Sequence, residues 1–582
     1  MDAHKALITN IFNNSTLVEV PFFQRSYVWK EDLWARLLED MEYVVKARKP
    51  HFLGSIILKE GRKPVIGDNF SACKTVVDGQ QRLTTFLIFL KVLCMKLNQT
   101  VMFDYQFRIM GQSIALRHGK NDIDAFEKVM ATTSAEIIEN PAPGSRIIEA
   151  FNYFVKNIVE TKLDIMTILM NTQFVQIDLD ADEDEQQIFD TINSLGVNLT
   201  TSELLKNYFF SRETVNEYEK RWEAVFEKDE ETRTYWDTEI EAGRVKRALI
   251  DIFFDSYFQI FIQDKQYSIS NEDKIMYARV DKLALSYQHF INKYCKGDKN
   301  KVLGPMKDYA FCFMQTFKPD YCAQNTPSNF GIERLNIVIF GLKTTTLIPY
   351  VLYVAKNVFD ENERNKIYGI LESYIMRRIV IHATTKNYNN LFISLILNTV
   401  LDADGLIARL KSNNDATTFI PSDEELKSGF EKSKLVNLHS RGIIYLIESR
   451  ERPEHSSTAL LGFDNYSLEH LMPKKWRNNW PACATEEEAA NRDSMLLTLG
   501  NLAIIPQSLN ASIRDANWKI KKEGKGKKPG LAICAAGLIT MYDVLQKGDW
   551  TEDDIQARAE TLYSQAASIW SLYGLRDTWH SC

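Results

Sequence analysis

Apolar residues three and four apart mark the first clear element: in "DLWARLLEDMEYVVKA" Trp34, Leu37, Leu38, Met41, Val44 and Val45 share one helical face. On either side, "TLVEVPFF" and "HFLGSIIL" read as strands. "KTVVD" predicts a short buried strand running into a long helix, "QQRLTTFLIFLKVLCMKL". After a break at "ENPAPGSR" (139–146), "FVQIDLDADEDEQQIFDTIN" adds one more strand and helix. Gly196 is placed to end that helix, and Thr200 with Glu203 makes a capping box for the next, "SELLKNYFF". Residues 1–215 therefore predict an α/β domain. From 216 to 430 the periodicity is almost wholly helical, as in "IYGILESYIMRRIVIHA", and predicts a helical linking domain. "NNDATTFIPSDEEL" (413–426) marks a second junction, and 431–582 is a mixed third domain. The expected class is a helix-rich, multidomain α+β protein.

Length agrees: 582 residues exceed one hydrophobic core, and about 150 per domain suggests three or four units. Hydrophobic residues at 45% and charged ones at 25% are ordinary globular values and exclude a disordered chain. The most apolar run, "FLIFLKVLCMKL", is interrupted by Lys91 and falls short of the roughly 18 residues of a membrane span. "MDAHKALITNIF" lacks the basic and apolar regions of an export signal, so cytoplasmic residence without a membrane is expected. Eight cysteines without a C-x-x-C pair argue against a zinc knuckle or a disulfide framework. The net charge of −7 does not point to nucleic acid. Yet between Asn510 and Gly530 seven cations face two anions, which predicts a local basic surface.

Two short stretches carry candidate chemistry. In "VVDGQQRL" (76–83), Asp78, Gly79, Gln80, Gln81 and Arg82 sit where a strand hands over to a helix. A helix start offers backbone N–H groups and partial positive charge to a phosphate, and Arg82 adds a planar fork. Asp78 and Gln81 equally satisfy a D-x-x-Q capping box, which needs no ligand. No G-x-x-x-x-G-K-[ST] motif is present, so a P-loop enzyme is not expected.

The second stretch, "NYSLEHLMPKKW" (465–476), sets Glu469 beside His470 with Lys474 and Lys475 behind. Phosphodiester hydrolysis needs a base near neutrality, which imidazole supplies, and a positive centre for the developing charge. A hard cation would take oxygen ligands such as Glu469 and a downstream amide. "LLTLGNLAIIPQSLNASIRDANWKIKK" (496–522) provides Asn501 in a turn and Asn510 at an expected helix start. Arg514, Asn517 and Lys521 follow Asn510 at i+4, i+7 and i+11, on roughly one helical face. Strand, loop and helix in that order describe a ββα-metal nuclease site. Adjacent strand residues point to opposite faces, so Glu469 and His470 can serve one site only where the strand ends, which Pro473 favours.

Together, "PFFQRSYVW", "FLGSIIL", "VVDGQQRLTT" and "IFDTINSLGVNLTTSELLKNYFF" resemble the N-terminal, ParB-like nucleotide-binding domain of GmrSD-type, modification-dependent (type IV) restriction endonucleases. The pattern E-H-x-x-P, G-N-L, S-L-N and N-W-x-x-K resembles the HNH-type nuclease domain of the same family. The resemblance implies a nucleoside triphosphate, GTP, ATP or another, held by Arg25, Asp78, Gly79, Gln80, Gln81 and Arg82. Asn193, Lys206 and Asn207 fall on a further motif. It implies His470 as general base, Glu469 and Asn510 as ligands of one Mg²⁺ or Mn²⁺, Asn501 orienting the loop or the base, and Lys521 contacting a phosphate. Lys474, Lys475, Arg514, Asn517 and Lys522 become DNA contacts, while Arg377, Arg378 and Lys386 are DNA contacts or surface or interdomain salt bridges. The implied function is an NTP-regulated, metal-dependent endonuclease of prokaryotic phage defence that cuts modified double-stranded DNA, with a homodimer as one assembly it allows. Two other classes fit the same motifs: an NTP-controlled DNA-binding switch with an inactive nuclease, and an RNA-cutting toxin.

Overall fold

The computed structural model describes residues 2–21, 26–61, 63–65, 68–141, 144–180, 200–210, 214–243, 245–413, 415–453, 459–507 and 515–571. They divide into two compact units, Met1–Tyr218 and Glu219–Cys582.

In the first unit, β1 (Asp2–Leu7), β2 (Thr16–Glu19), β3 (His51–Glu60), β4 (Ala72–Asp78), β5 (Leu116–Arg117) and β6 (Thr172–Leu179) form one mixed sheet in the order β1-β6-β3-β4-β2-β5. Central β3 runs parallel to β6 and antiparallel to β4. The expected strand "TLVEVPFF" stops at Glu19, just before Pro21, which has no N–H for a ladder. Helix α1 (Glu31–Ala47) buries Trp34, Leu37, Leu38, Met41 and Val44, the face its spacing predicts. Helix α2 (Gln80–Lys96) is buried nearly all round, because its apolar residues leave no polar stripe. Its one buried lysine, Lys91, places its ammonium 5.2 Å from the centre of the Phe103 ring. The helix expected after β6, with Asn193 and the stop at Gly196, lies outside the described residues. The capping box is present: Thr200 Oγ1 accepts from the Glu203 N–H (3.2 Å) and Glu203 Oε2 from the Thr200 N–H (2.9 Å).

In the second unit, the helical stretch and the C-terminal segment share one packed body. Helices α3 (Glu361–Val380), α4 (Asp423–Lys432) and α5 (Asn437–Glu451) pack with one another and with the late helix Glu552–Ile569. A fully buried ion pair, Arg334 with Glu372 at 2.7 Å, also receives the Trp570 indole N–H (3.1 Å). The periodicity missed the hairpin of Glu239–Ala242 with Val245–Ala248. Arg378 is not a surface bridge, whereas Arg377, itself buried, reaches the exposed Asp423 carboxylate at 2.5 Å. Arg378 is fully buried and donates to the carbonyls of Thr384, Thr417 and Phe419, and Arg377 donates to those of Pro421 and Trp570. Lys386 is exposed. Among the described residues no helix is long and apolar enough to cross a membrane.

Candidate active site

The first motif sits at the end of β4. Gly79 turns the chain at φ +100°, and a Cβ there would lie 2.6 Å from Ile56 Cγ2, so both the backbone and the space require glycine. The D-x-x-Q capping box does not form: Gly79 is itself the cap, and no side chain closes the start of α2. Gln81 turns instead to the loop after "PFFQR", accepting from the Val28 N–H (2.9 Å) and donating to the Ser26 carbonyl (3.4 Å). Beside it the Tyr27 hydroxyl bonds to Thr85 (2.6 Å) and accepts from the Trp34 indole (2.8 Å). Tyr27 N–H donates to Asp122 (2.7 Å), whose carboxyl burial pushes up to about 6. Gln81 thus ties the turn to residues 26–28, more than 50 positions earlier. Tyr27, Thr85 and Asp122 have no spacing signal that could have singled them out.

Arg82 donates to the Ser55 carbonyl and lies 3.6 Å from Asp78. It also lines a cavity of about 330 Å³ together with Trp29, Arg36, Asp40 and His51. Gln80 is buried, while Lys206 and Asn207 are half-buried on the helix Thr201–Phe209. Arg25 lies outside the described residues.

The second motif forms a hairpin of β7 (Tyr466–His470) and β8 (Leu502–Pro506), with Glu469 opposite Ala503 and His470 opposite Leu502. The strand ends at His470, before Pro473, as the geometry of adjacent residues demands. Glu469 is buried and bonded to Lys521, whose ammonium also donates to the His470 carbonyl (2.6 Å). Burial pushes the Glu469 carboxyl up and the Lys521 ammonium down, and in each case the partner's charge opposes the shift. His470 is half-buried, and its imidazole makes no hydrogen bond among the described residues. Burial, then the charges of Lys474 and Lys521, lower it to about 4, so it is a neutral base at pH 7.

Asn501 is fully buried and saturated. Its Oδ1 accepts from the Met472 N–H (2.8 Å) and the Trp550 indole (3.1 Å), and its Nδ2 donates to the carbonyls of Met472 (2.8 Å) and Leu496 (3.0 Å). These bonds clamp the chain just beyond His470. Arg558 reinforces the same turn by donating to the carbonyls of Leu499, Gly500 and Leu502. Sequence reasoning missed Trp550 and Arg558, which lie about 50 residues downstream.

The expected helix running from Asn510 through Lys521 is not continuous. Residues 515–517 are outside any helix, and Asn517 caps α6 (Trp518–Glu523) by accepting from the Ile520 N–H (3.0 Å). Asn517 is therefore spent on a cap, and Lys521, with no exposed surface, is not where a phosphate would meet it. Lys522 is half-buried and donates to the Lys547 carbonyl (2.9 Å). Lys474, Lys475, Lys519, Lys525, Lys527 and Lys528 are exposed and form the basic surface. Asn510 and Arg514 lie outside the described residues. Among the described residues no three His, Cys, Asp or Glu side chains converge as a metal site, and Glu469 faces an ammonium. As they stand, these residues do not fit a divalent cation at Glu469.

Comparison with known families finds a match in each half of the chain. Residues 8–210 match the GmrSD restriction endonuclease N-terminal domain, and residues 420–565 match the GmrSD restriction endonucleases C-terminal domain. No curated protein matches the chain. The stretches that carry the DGQQR turn and the Glu469–His470 hairpin both fall within these matches, and the chain belongs to the GmrSD-type restriction endonucleases.

Proposed function

We propose that this chain is an HNH-type DNA endonuclease in which His470 takes the proton from the attacking water. The observation that carries this reading is the pinning of His470 at a strand end. Lys521 holds its carbonyl and Asn501 holds Met472 beyond it, and among the described residues the imidazole has no competing partner. A base so held is positioned without reorganisation, and the exposed lysines beside it attract a polyanion. On the same reading, the cleft beside Arg82 binds a nucleoside triphosphate that regulates cutting, and the substrate is modified foreign double-stranded DNA. A Mg²⁺ or Mn²⁺ requirement is part of the proposal, with Glu469 not among its ligands while Lys521 holds it.

The test is incubation of the purified protein with modified and unmodified phage DNA, each metal and each nucleotide, beside His470→Ala. We expect the substitution to abolish cutting, at least about 100-fold, and to leave nucleotide turnover largely intact. A folded variant that still cuts DNA would sink the role of His470. A second reading, a nucleotide-controlled DNA-binding switch with an inactive nuclease, is favoured by the commitment of Glu469 to Lys521. It predicts intact DNA under all conditions while nucleotide is still consumed.

A further inference from the structure

The second unit contains a cavity of about 580 Å³ between the segment 536–547 and α7 (Glu552–Ile569). It is distinct from the His470 imidazole and from the cleft beside Arg82. Among the residues that line it, Arg558 uses only Nη1, on the three carbonyls of the Leu499–Leu502 turn. Its Nε and Nη2 are buried and have no partner among the described residues. No carboxylate forms an ion pair with it among the described residues, although it is only 7% exposed. Thr540, 8% exposed, and Gln565 line the same cavity, and Thr540 Oγ1 and Gln565 Oε1 are likewise buried without partners among the described residues.

An unpaired buried polar atom is destabilising, and an uncompensated buried charge more so. Four such atoms around one cavity indicate a site whose partners arrive with a ligand. The guanidinium edge demands an anionic or strongly accepting group, while Gln565 Oε1 demands a donor. Leu538 and buried Trp550 supply apolar wall, and Tyr542, 65% exposed, also lines the cavity. Oxyanion, N–H donor and flat apolar body occur together in a nucleotide.

We propose that this cavity binds a nucleoside monophosphate unit, with Arg558 and Thr540 on its acceptor groups, Gln565 on a base N–H, and the base against Tyr542. The unit could arrive as a free mononucleotide or as a nucleotide of single-stranded DNA. Because Arg558 also holds the Leu499–Leu502 turn, and Trp550 also holds Asn501, an occupied cavity stiffens the turn behind His470.

The experiment is calorimetric titration of the full chain with the four deoxynucleoside monophosphates, the matching nucleosides, inorganic phosphate and a short single-stranded oligonucleotide. Arg558→Ala would also break the turn, so the variants are Thr540→Val, Gln565→Leu and Tyr542→Ala, with melting temperature as the fold control. At least one monophosphate should bind, about tenfold more tightly than its nucleoside and than phosphate. Each variant should weaken it about tenfold, the loss of one hydrogen bond or one stacking contact. Hydrogen exchange at Leu499–Leu502 should slow when the ligand is bound. Displacement of the mononucleotide by the oligonucleotide would identify DNA as the source, and failure to displace it would identify the free nucleotide. No binding up to about 1 mM, some 4 kcal/mol of affinity, overturns the proposal. So does binding unchanged in Tyr542→Ala, whose exposed ring is not needed for folding.

Discussion

Glu469 and Lys521 are each legible as charged residues in a basic segment, but their contact spans 52 positions and has no periodic signature. Burial makes the pair consequential. Glu469→Leu or Lys521→Met leaves one charge unpaired in the interior and should cost about 3 to 5 kcal/mol in urea unfolding. The double substitution should cost clearly less than the sum of the two, because it removes both charges at once. Simple additivity would show that the two groups do not depend on each other.

His118 offers a pH test in the first unit. It is 1% exposed, bonded through Nε2 to Thr84 (3.0 Å), and burial holds it near 3 against an ordinary 6.5. The unfolded chain therefore binds the extra proton between those values. This contribution is complete above pH 6.5 and is lost as pH falls toward 3, at no more than about 1.4 kcal/mol per pH unit. His118→Phe should flatten the fall by that amount, and an unchanged slope would contradict the assignment.

Among helices and turns, sequence patterning succeeded where one face decides the outcome and failed where a distant partner does. Helix α1 and the Thr200 capping box formed as read, because spacing and local hydrogen bonds are enough to specify them. The capping box at Asp78 did not form, since Gln81 finds loop 26–28 and Gly79 takes the cap position. The helix expected from Asn510 to Lys521 is interrupted at 515–517, and Asn517 caps the described part that begins at Trp518. Gly500 shows what local reading leaves out. A Cβ there would sit 2.1 Å from the Ile555 carbonyl oxygen, so α7 packs backbone against the turn. Gly500→Ala should destabilise the second unit by about 1 to 3 kcal/mol and slow DNA cutting, with nucleotide turnover kept. Unchanged stability would mean that the helix yields freely.

Two units with separate cores should unfold in separable steps. Gly79→Ala, strained in both φ and space, should lower only the transition of the first unit in calorimetry, and Gly500→Ala only that of the second. A single transition shifted equally by both would show that the units unfold as one. The linear chain was enough to specify a helix-rich α+β protein with a glycine turn into a buried helix and a strand ending at His470. Those features rest on periodicity, turn chemistry and neighbouring residues. Folding settled what depends on groups far apart in the chain: Glu469 on Lys521, Trp550 and Arg558 on the turn at Asn501, and Tyr27 on Asp122. Such contacts depend on shape and desolvation, which arise only when distant segments close on one another, and no spacing along the chain encodes them.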